Sequence, residues 1–424
     1  MGRTGGAQRV AVAFLVLVGV RAIAQVPFEQ AIADLSSAEP NARLKAVAIL
    51  KDAAYPEAAV PLARLITDPQ DAVQFEAIAA ELNIALAEKV VTRKRVGLVI
   101  EKRTAITAEA TFSSGPLAVS GQLMPVEVGT ALVAAMRDDN PRVGLEALYA
   151  FGVIAPAIAG TARSDVLRQA GPQLSGLLGV ADPFLRYAAA RVIGRVFARR
   201  AQDPPADESV GDALISAVND GDRAVRAAAI QSLGAMRYDR AVAALGELFT
   251  YHARGEQAEA VLDALAHIAN PASAPLFEEQ LLSKTTSVRG IAAEGLARLG
   301  DAARLANLQS TLKSERGEGV LLALAFANTM LANASINPIS EAVTRTRLRD
   351  QARNYLVEIA PGRTGLFIQQ VLDPDARIRL AAVDALGLSA DASALALVGS
   401  LAADPDPLVA RAAAHAVERL TTPR

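Results

Sequence analysis

The chain of 424 residues is 52% apolar and 21% charged, with a formal charge of -2, no cysteine and three histidines. So apolar a chain is not disordered, and its length allows two or three domains. The missing thiols exclude disulfides, thiolate metal sites, iron–sulfur clusters and a cysteine nucleophile, three histidines leave little for a multi-histidine metal site, and the near-neutral charge gives no electrostatic reason to expect nucleic acid.

Residues 1–24 read as a secretory signal peptide. Arg3 and Arg9 form a basic start, Val10 to Val20 is an apolar run of eleven residues, and Ala22-Ile23-Ala24 is a small-x-small cleavage pattern. Cleavage there leaves Gln25 as the first residue and a mature charge of about -5, since three arginines and no acids are removed. The apolar run is shorter than the roughly 20 residues of a membrane span. Arg21 is an irregularity in this pattern, and an uncleaved anchor is the rival reading. Export of a cysteine-free chain fits a periplasmic or secreted protein of a Gram-negative bacterium. No later stretch is apolar enough to span a membrane.

Residues 25–87 hold the first helical repeats, with Asp68-Pro69 leading into AVQFEAIAAEL. The pattern breaks over 88–130. There Val96, Leu98 and Ile100 alternate, as do Ile106 and Ala108, and Leu117, Val119, Gly121 and Leu123 alternate again after a Ser113-Ser114-Gly115-Pro116 turn signal. Alternation at period two predicts short strands and one or two hairpins, a small β-rich insertion between repeats. Its entrance is basic, with Lys89, Arg93, Lys94, Arg95, Lys102 and Arg103 as candidate partner-binding residues. A solvated strand edge explains the same charges without a partner.

The repeats resume over 131–420. Asn140-Pro141, Asp182-Pro183, Asp222, Ser287, Asp373-Pro374-Asp375 and Asp404-Pro405-Asp406 each lead into an Ala/Leu-rich segment, and several of these segments end in Gly. The recurring unit is D-x-x-V-R-x-x-A-x-x-A-L-G. Its Arg position is held by Arg186, Arg226, Arg289, Arg349 and Arg379, by Ala258 and Ala410, and upstream by Lys45 and Gln74. A period near 30–32 residues with two helical stretches is that of a helical solenoid. Asp or Asn caps the helix start, Pro suits its first turn, Ala and Leu form one buried stripe, and a Gly in left-handed conformation is expected to stop the helix. The polar stretch 201–212 reads as an exposed second insertion, and Asn333 to Pro338 as an irregular linker.

This unit resembles HEAT repeats, in particular the short bacterial type found in phycobilisome-lyase-like proteins. The resemblance is good over 205–310 and 372–420, moderate over 40–87 and 132–198, and weak over 310–360. It implies an all-α, HEAT-like α/α superhelical solenoid, here of nine or ten units with the β-rich insertion. It also implies structural roles for Asp222, Arg226, Arg289, Asp375 and Arg379, each Arg contacting the Asp-bearing turn of its own or a neighbouring repeat. Gln74, Gly144 and Ala410 depart from that pattern and are expected to interrupt any such ladder.

No H-E-x-x-H, G-x-S-x-G or G-x-x-x-x-G-K motif occurs. His252, His267 and His415 read as structural, and Glu278-Glu279 as a solvated helix face. No catalytic residue, cofactor or metal is expected. The expectation is a non-catalytic protein-binding or scaffolding module of the bacterial cell envelope, its partner another envelope protein or peptide. The alternatives are a lyase-like chromophore enzyme, a membrane-surface or cell-wall binding module, and a structural subunit of a larger assembly.

Overall fold

The computed structural model describes residues 28–87, 107–116, 123–158, 160–199, 208–252 and 256–421. Among these residues every regular element is an α-helix or a 3₁₀ turn, and the fold is an all-α HEAT-like solenoid. Eleven second helices follow one another: Pro40–Ala53, Asp71–Leu86, Pro141–Ile154, Pro183–Val196, Arg223–Ala235, Glu256–Ile268, Thr286–Arg298, Glu318–Ala332, Arg349–Ile359, Ala376–Leu388 and Pro407–Thr421. Each packs against the next, and each carries a first helix, shorter in every unit but that of Gly160–Leu177 and Pro183–Val196, or, before Ala376–Leu388, a pair of 3₁₀ turns. The weakly repetitive stretch 310–360 holds regular units after all, with Glu318–Ala332 behind Leu305–Thr311 and Arg349–Ile359 behind Asn337–Ala342.

The helices start as their sequences suggest. The side chains of Asn140, Asp182, Asp222 and Asp375 accept the N–H two residues ahead, which satisfies a donor that the helix leaves free. Pro141 and Pro183 occupy the first turn, where the missing N–H costs nothing. At the helix ends Gly300 follows expectation, with φ +74° just past Thr286–Arg298, but other glycines of the repeat do not. Gly194 and Gly387 lie within the last turn of their helices, and their task is close approach. A Cβ on Gly194 would come within 2.3 Å of Ser232 Oγ, and one on Gly387 within 2.7 Å of the Ala416 Cβ. Small residues here let consecutive second helices pack backbone to backbone. The left-handed residues that do turn the chain are mostly not glycine: Ala54, Arg237, Ala269, Asn333 and Ala390.

The β-rich insertion is corrected. No strand occurs among the described residues, and the parts of 88–130 that are described are helical. Residues 88–106 and 117–122, with Lys89, Arg93, Lys94, Arg95, Lys102 and Arg103, lie outside the described residues. Ala108–Ser113 is a short helix whose first turn is capped by the Thr107 hydroxyl. It ends before Gly115, at φ +91°. Val126–Ala135 is the first helix of the pair completed by Pro141–Ile154. Alternation misled because Ala108, Thr111 and Phe112 are buried at i, i+3 and i+4, a helical spacing that a short segment shares with a strand. The solenoid continues past this segment, since Asp71–Leu86 packs directly on Pro141–Ile154. Of the 201–212 stretch, 201–207 lie outside the described residues and Glu208 already opens a helix.

Candidate interaction face of the second helices

The N-terminal turns of the second helices carry a ladder of bonds. Arg379 donates to the carbonyls of Asp373 and Pro374 in its own turn and, through Nε and Nη2, to both carboxylate oxygens of Asp404 in the next, each at 2.8 Å. Arg43 treats Asp68 in the same way, and Arg186 treats Asp220. Arg289 donates to Glu315 at 2.7 Å, which holds that carboxyl down at about 2. Among the described residues Arg226 binds only the backbone of its own turn, at Asp220 and Gly221, and Arg349 the carbonyl of Val343. The acids that receive these arginines stand two residues before the residue that opens the following helix, Gln70 after Asp68 and Gly317 after Glu315, so Asp222 and Asp375 serve as caps while Asp220 and Asp404 are rungs. Each rung acid also accepts the N–H of the residue two ahead, as Asp220 does from Asp222.

Two details of the sequence reading change. Arg43 occupies the ladder position of the first unit that had been assigned to Lys45. Gln74 does not interrupt the ladder: its amide donates to Asp138 at 2.8 Å, 64 residues further on.

Five and nine residues beyond the ladder position, the second helices present a common face. It carries Tyr149, Arg191 and Arg195, then Asp263 and His267, Glu294 and Arg298, Phe326, Glu358 and Asp384. On this face lies the short helix Ala108–Ser113. Its Phe112 ring is buried against Tyr149, with centroids 5.3 Å apart, and under the guanidinium groups of Arg191 at 5.0 Å and Arg195 at 4.4 Å. Gly152 forms the floor, since a Cβ there would sit 2.6 Å from the ring. Arg195 donates to the Phe112 carbonyl, and Arg191 reaches the Ser113 hydroxyl at 3.3 Å and the Tyr149 hydroxyl at 3.5 Å. At the other end of the segment Glu146 accepts the Ala108 N–H at 2.9 Å. Burial, with Arg191 alongside, lowers Arg195 to about 10, and burial together with Glu109 pushes Tyr149 up to about 12.

Further along the same face lies an acid-rich network. Arg298 donates to both oxygens of Glu358 at 2.8 Å and to Glu294 at 3.1 Å. Glu294 also accepts from the Tyr355 hydroxyl and from Gln351 at 3.2 Å. His267 approaches from the previous repeats, its Nδ1 2.9 Å from the Asp263 carbonyl and its Nε2 3.9 Å from Glu358. Phe326 stacks on Tyr355 at 4.3 Å and lies beneath Arg298 at 5.4 Å. Burial alone would raise Glu358, but the Arg298 fork outweighs it and the net shift is downward. Burial likewise opposes the charge of Arg298, yet its two carboxylates raise it. Asp263 is raised by burial, with Glu294 and Glu358 adding to the shift and His267 and Arg298 opposing it, although 43% of its side chain meets solvent. The sequence reading missed this network, treating His267 as a satisfied helix end. Among the described residues no three His, Asp or Glu side chains are grouped to hold a metal ion, and no helix is long and apolar enough to cross a membrane.

The model for HEAT repeats matches residues 172–261 and 366–424. That match is to HEAT repeats as such and does not single out the phycobilisome-lyase-like type. No curated protein matches the chain. Among solved structures, a crystal structure of an engineered protein aligns with 94% of this chain and 99% of its own at 19% identity and a TM-score of 0.40. A second engineered protein covers 65% of this chain and 99% of its own, at 18% identity and a TM-score of 0.35. A designed armadillo repeat protein covers 64% of this chain and 100% of its own, at 17% identity and a TM-score of 0.35.

Proposed function

We propose that this chain is a non-catalytic binding scaffold of the bacterial cell envelope, exported by its first 24 residues, and that the second-helix face takes a polypeptide partner. The observation that carries the reading is the seat of Phe112. A short helix from outside the repeats is held on this face by one buried aromatic anchor, the arrangement by which interfaces concentrate their binding energy. Stacked repeats supply a long, rigid surface for such contacts. The basic residues from Lys89 to Arg103 are proposed as a second contact, to an acidic envelope protein or to the membrane surface.

The test is affinity purification of the tagged chain from cross-linked envelopes. Gln231 and Asn354 are exposed residues on the second-helix face, and Glu279 is exposed on a first helix. The Gln231→Arg/Asn354→Arg variant is expected to lose a defined protein partner that Glu279→Arg retains. Recovery of the same partner by both variants would move the binding surface elsewhere, and recovery of none by the unaltered chain would sink the scaffold reading.

A further inference from the structure

Arg191 and Arg195 lie side by side over one aromatic ring, an arrangement unlike that of the acid-paired arginines of the second helices. Arg43, Arg186, Arg289, Arg298 and Arg379 each meet a carboxylate. Among the described residues Arg191 and Arg195 do not, and unlike Arg226 and Arg349, which bind carbonyls of their own turns, they converge on one site. Their bonds go to the Ser113 and Tyr149 hydroxyls and the Phe112 carbonyl, and their planes lie against the Phe112 ring. Two guanidinium groups thus share a partly buried recess without a formal negative charge in contact, where an anion would gain most. The nearby acids are turned to other work: Glu146 holds the Ala108 N–H, and Glu109 lies 3.4 Å from the Tyr149 hydroxyl.

The identity of the accepting atom narrows the ligand. Arg195 is bonded to the carbonyl of the same residue whose ring fills the recess. At the end of a polypeptide that position is a carboxylate. Resting on the binding reading above, we infer that the recess of Tyr149, Gly152, Arg191 and Arg195 is a receptor for the C-terminal aromatic residue of a partner polypeptide, and that Phe112 fills it in cis. The partner's ring replaces that of Phe112 over Gly152, and its α-carboxylate gives the two arginines the charge that a neutral carbonyl lacks. A charged acceptor makes roughly twice as strong a bond as a neutral one. The tethered segment competes at an effective concentration on the order of millimolar, so a partner must displace it.

The experiment follows from the chain's own sequence. A fluorescein-labelled peptide Thr-Ala-Glu-Ala-Thr-Phe, which copies residues 107–112 and ends in a free carboxylate, is titrated by anisotropy against the full chain. It is compared with its C-terminal amide, with a version ending in Ala, and with N-acetylphenylalanine as competitor. The Phe112→Ala chain is expected to bind the acid peptide about tenfold more tightly than the unaltered chain, because the tethered competitor is removed. Amidation and the terminal Ala should each cost about tenfold, and Arg195→Met should abolish the difference between acid and amide. Circular dichroism controls for folding, and Glu146→Ala opens the recess by a second route through loss of the Ala108 N–H acceptor. Equal binding of acid and amide, or no saturable binding to either opened variant with intact helix content, overturns the inference. Competition by N-acetylphenylalanine at the affinity of the peptide overturns its polypeptide half. Capture of a partner from envelopes alongside a failed titration sinks this inference alone and leaves the scaffold reading standing.

Discussion

Glu81 occupies the place that Leu233 and Leu386 hold in other second helices, seven residues past the ladder position. Its side chain is fully buried, and both carboxylate oxygens lack a hydrogen-bond partner. Burial therefore raises its pKa well above the ordinary carboxyl value. The sign of the pH effect follows. Below the unfolded pKa the group is protonated in both states and carries no charge penalty. As pH rises above it, the unfolded chain releases a proton that the folded chain keeps, and stability falls by about 1.4 kcal/mol per unit until the folded pKa is passed. Glu81→Leu should stabilise the chain at pH 7 by roughly 1–3 kcal/mol, with the gain shrinking toward pH 4. Urea midpoints at the two pH values check this, and a gain equal at both would show that burial of the carboxyl is not the cause. Arg298→Met is the opposite case. It leaves Glu294 and Glu358 buried beside one another, at a cost of about 3–5 kcal/mol, read from the same curves. Glu81 was legible as an acid in a leucine slot once Gln74 was aligned with the arginines. The Arg298 network was not, because its members come from four successive second helices and its charged residues each look solvated in their own helix.

At the scale of the element, what the repeat unit showed was the helix and its cap. Asp182, Asp222 and Asp375 cap as their position suggests, because a cap depends on residues adjacent in sequence. The rung acids depend on the neighbouring repeat, so the pairing of Arg379 with Asp404 and not Asp375 needed the fold. The same holds for Ala108–Ser113, where alternation over a few residues was a weaker guide than burial against Pro141–Ile154 and Pro183–Val196. Arg379→Ala removes bonds to two carbonyls and a two-pronged bond to Asp404, and should cost about 1–2 kcal/mol. Arg226→Ala removes only the bonds to its own turn and should cost less. Thermal unfolding of the two variants decides; an equal loss would show that the bond between repeats contributes nothing.

For the whole molecule, stability is a sum of units and of the interfaces between successive ones. Damage should therefore stay local. Hydrogen exchange of Arg379→Ala is expected to quicken within 366–421 and to stay unchanged over 28–86, and uniform quickening would show one cooperative body instead. Acid should act along the ladder. Asp220, Glu315 and Asp404 are held below their ordinary values by Arg186, Arg289 and Arg379, so the stability they contribute is complete above the usual carboxyl range and is lost as pH falls toward 2. Protection factors, corrected for the slower intrinsic exchange of amides in acid, should fall first in those units at pH 3 relative to pH 6, and equal protection at both pH values would count against the ladder.

The join between Asp71–Leu86 and Pro141–Ile154 includes side chains meeting across the stack, with Gln74 bonded to Asp138 and Asn140 to Asp71. Cutting the chain between residues 88 and 106 leaves every one of those contacts in place. The protein is thereby a natural pair of halves: fragments expressed separately and split in that stretch have a ready-made surface on which to find each other, and a reporter divided between them would light up on reassembly.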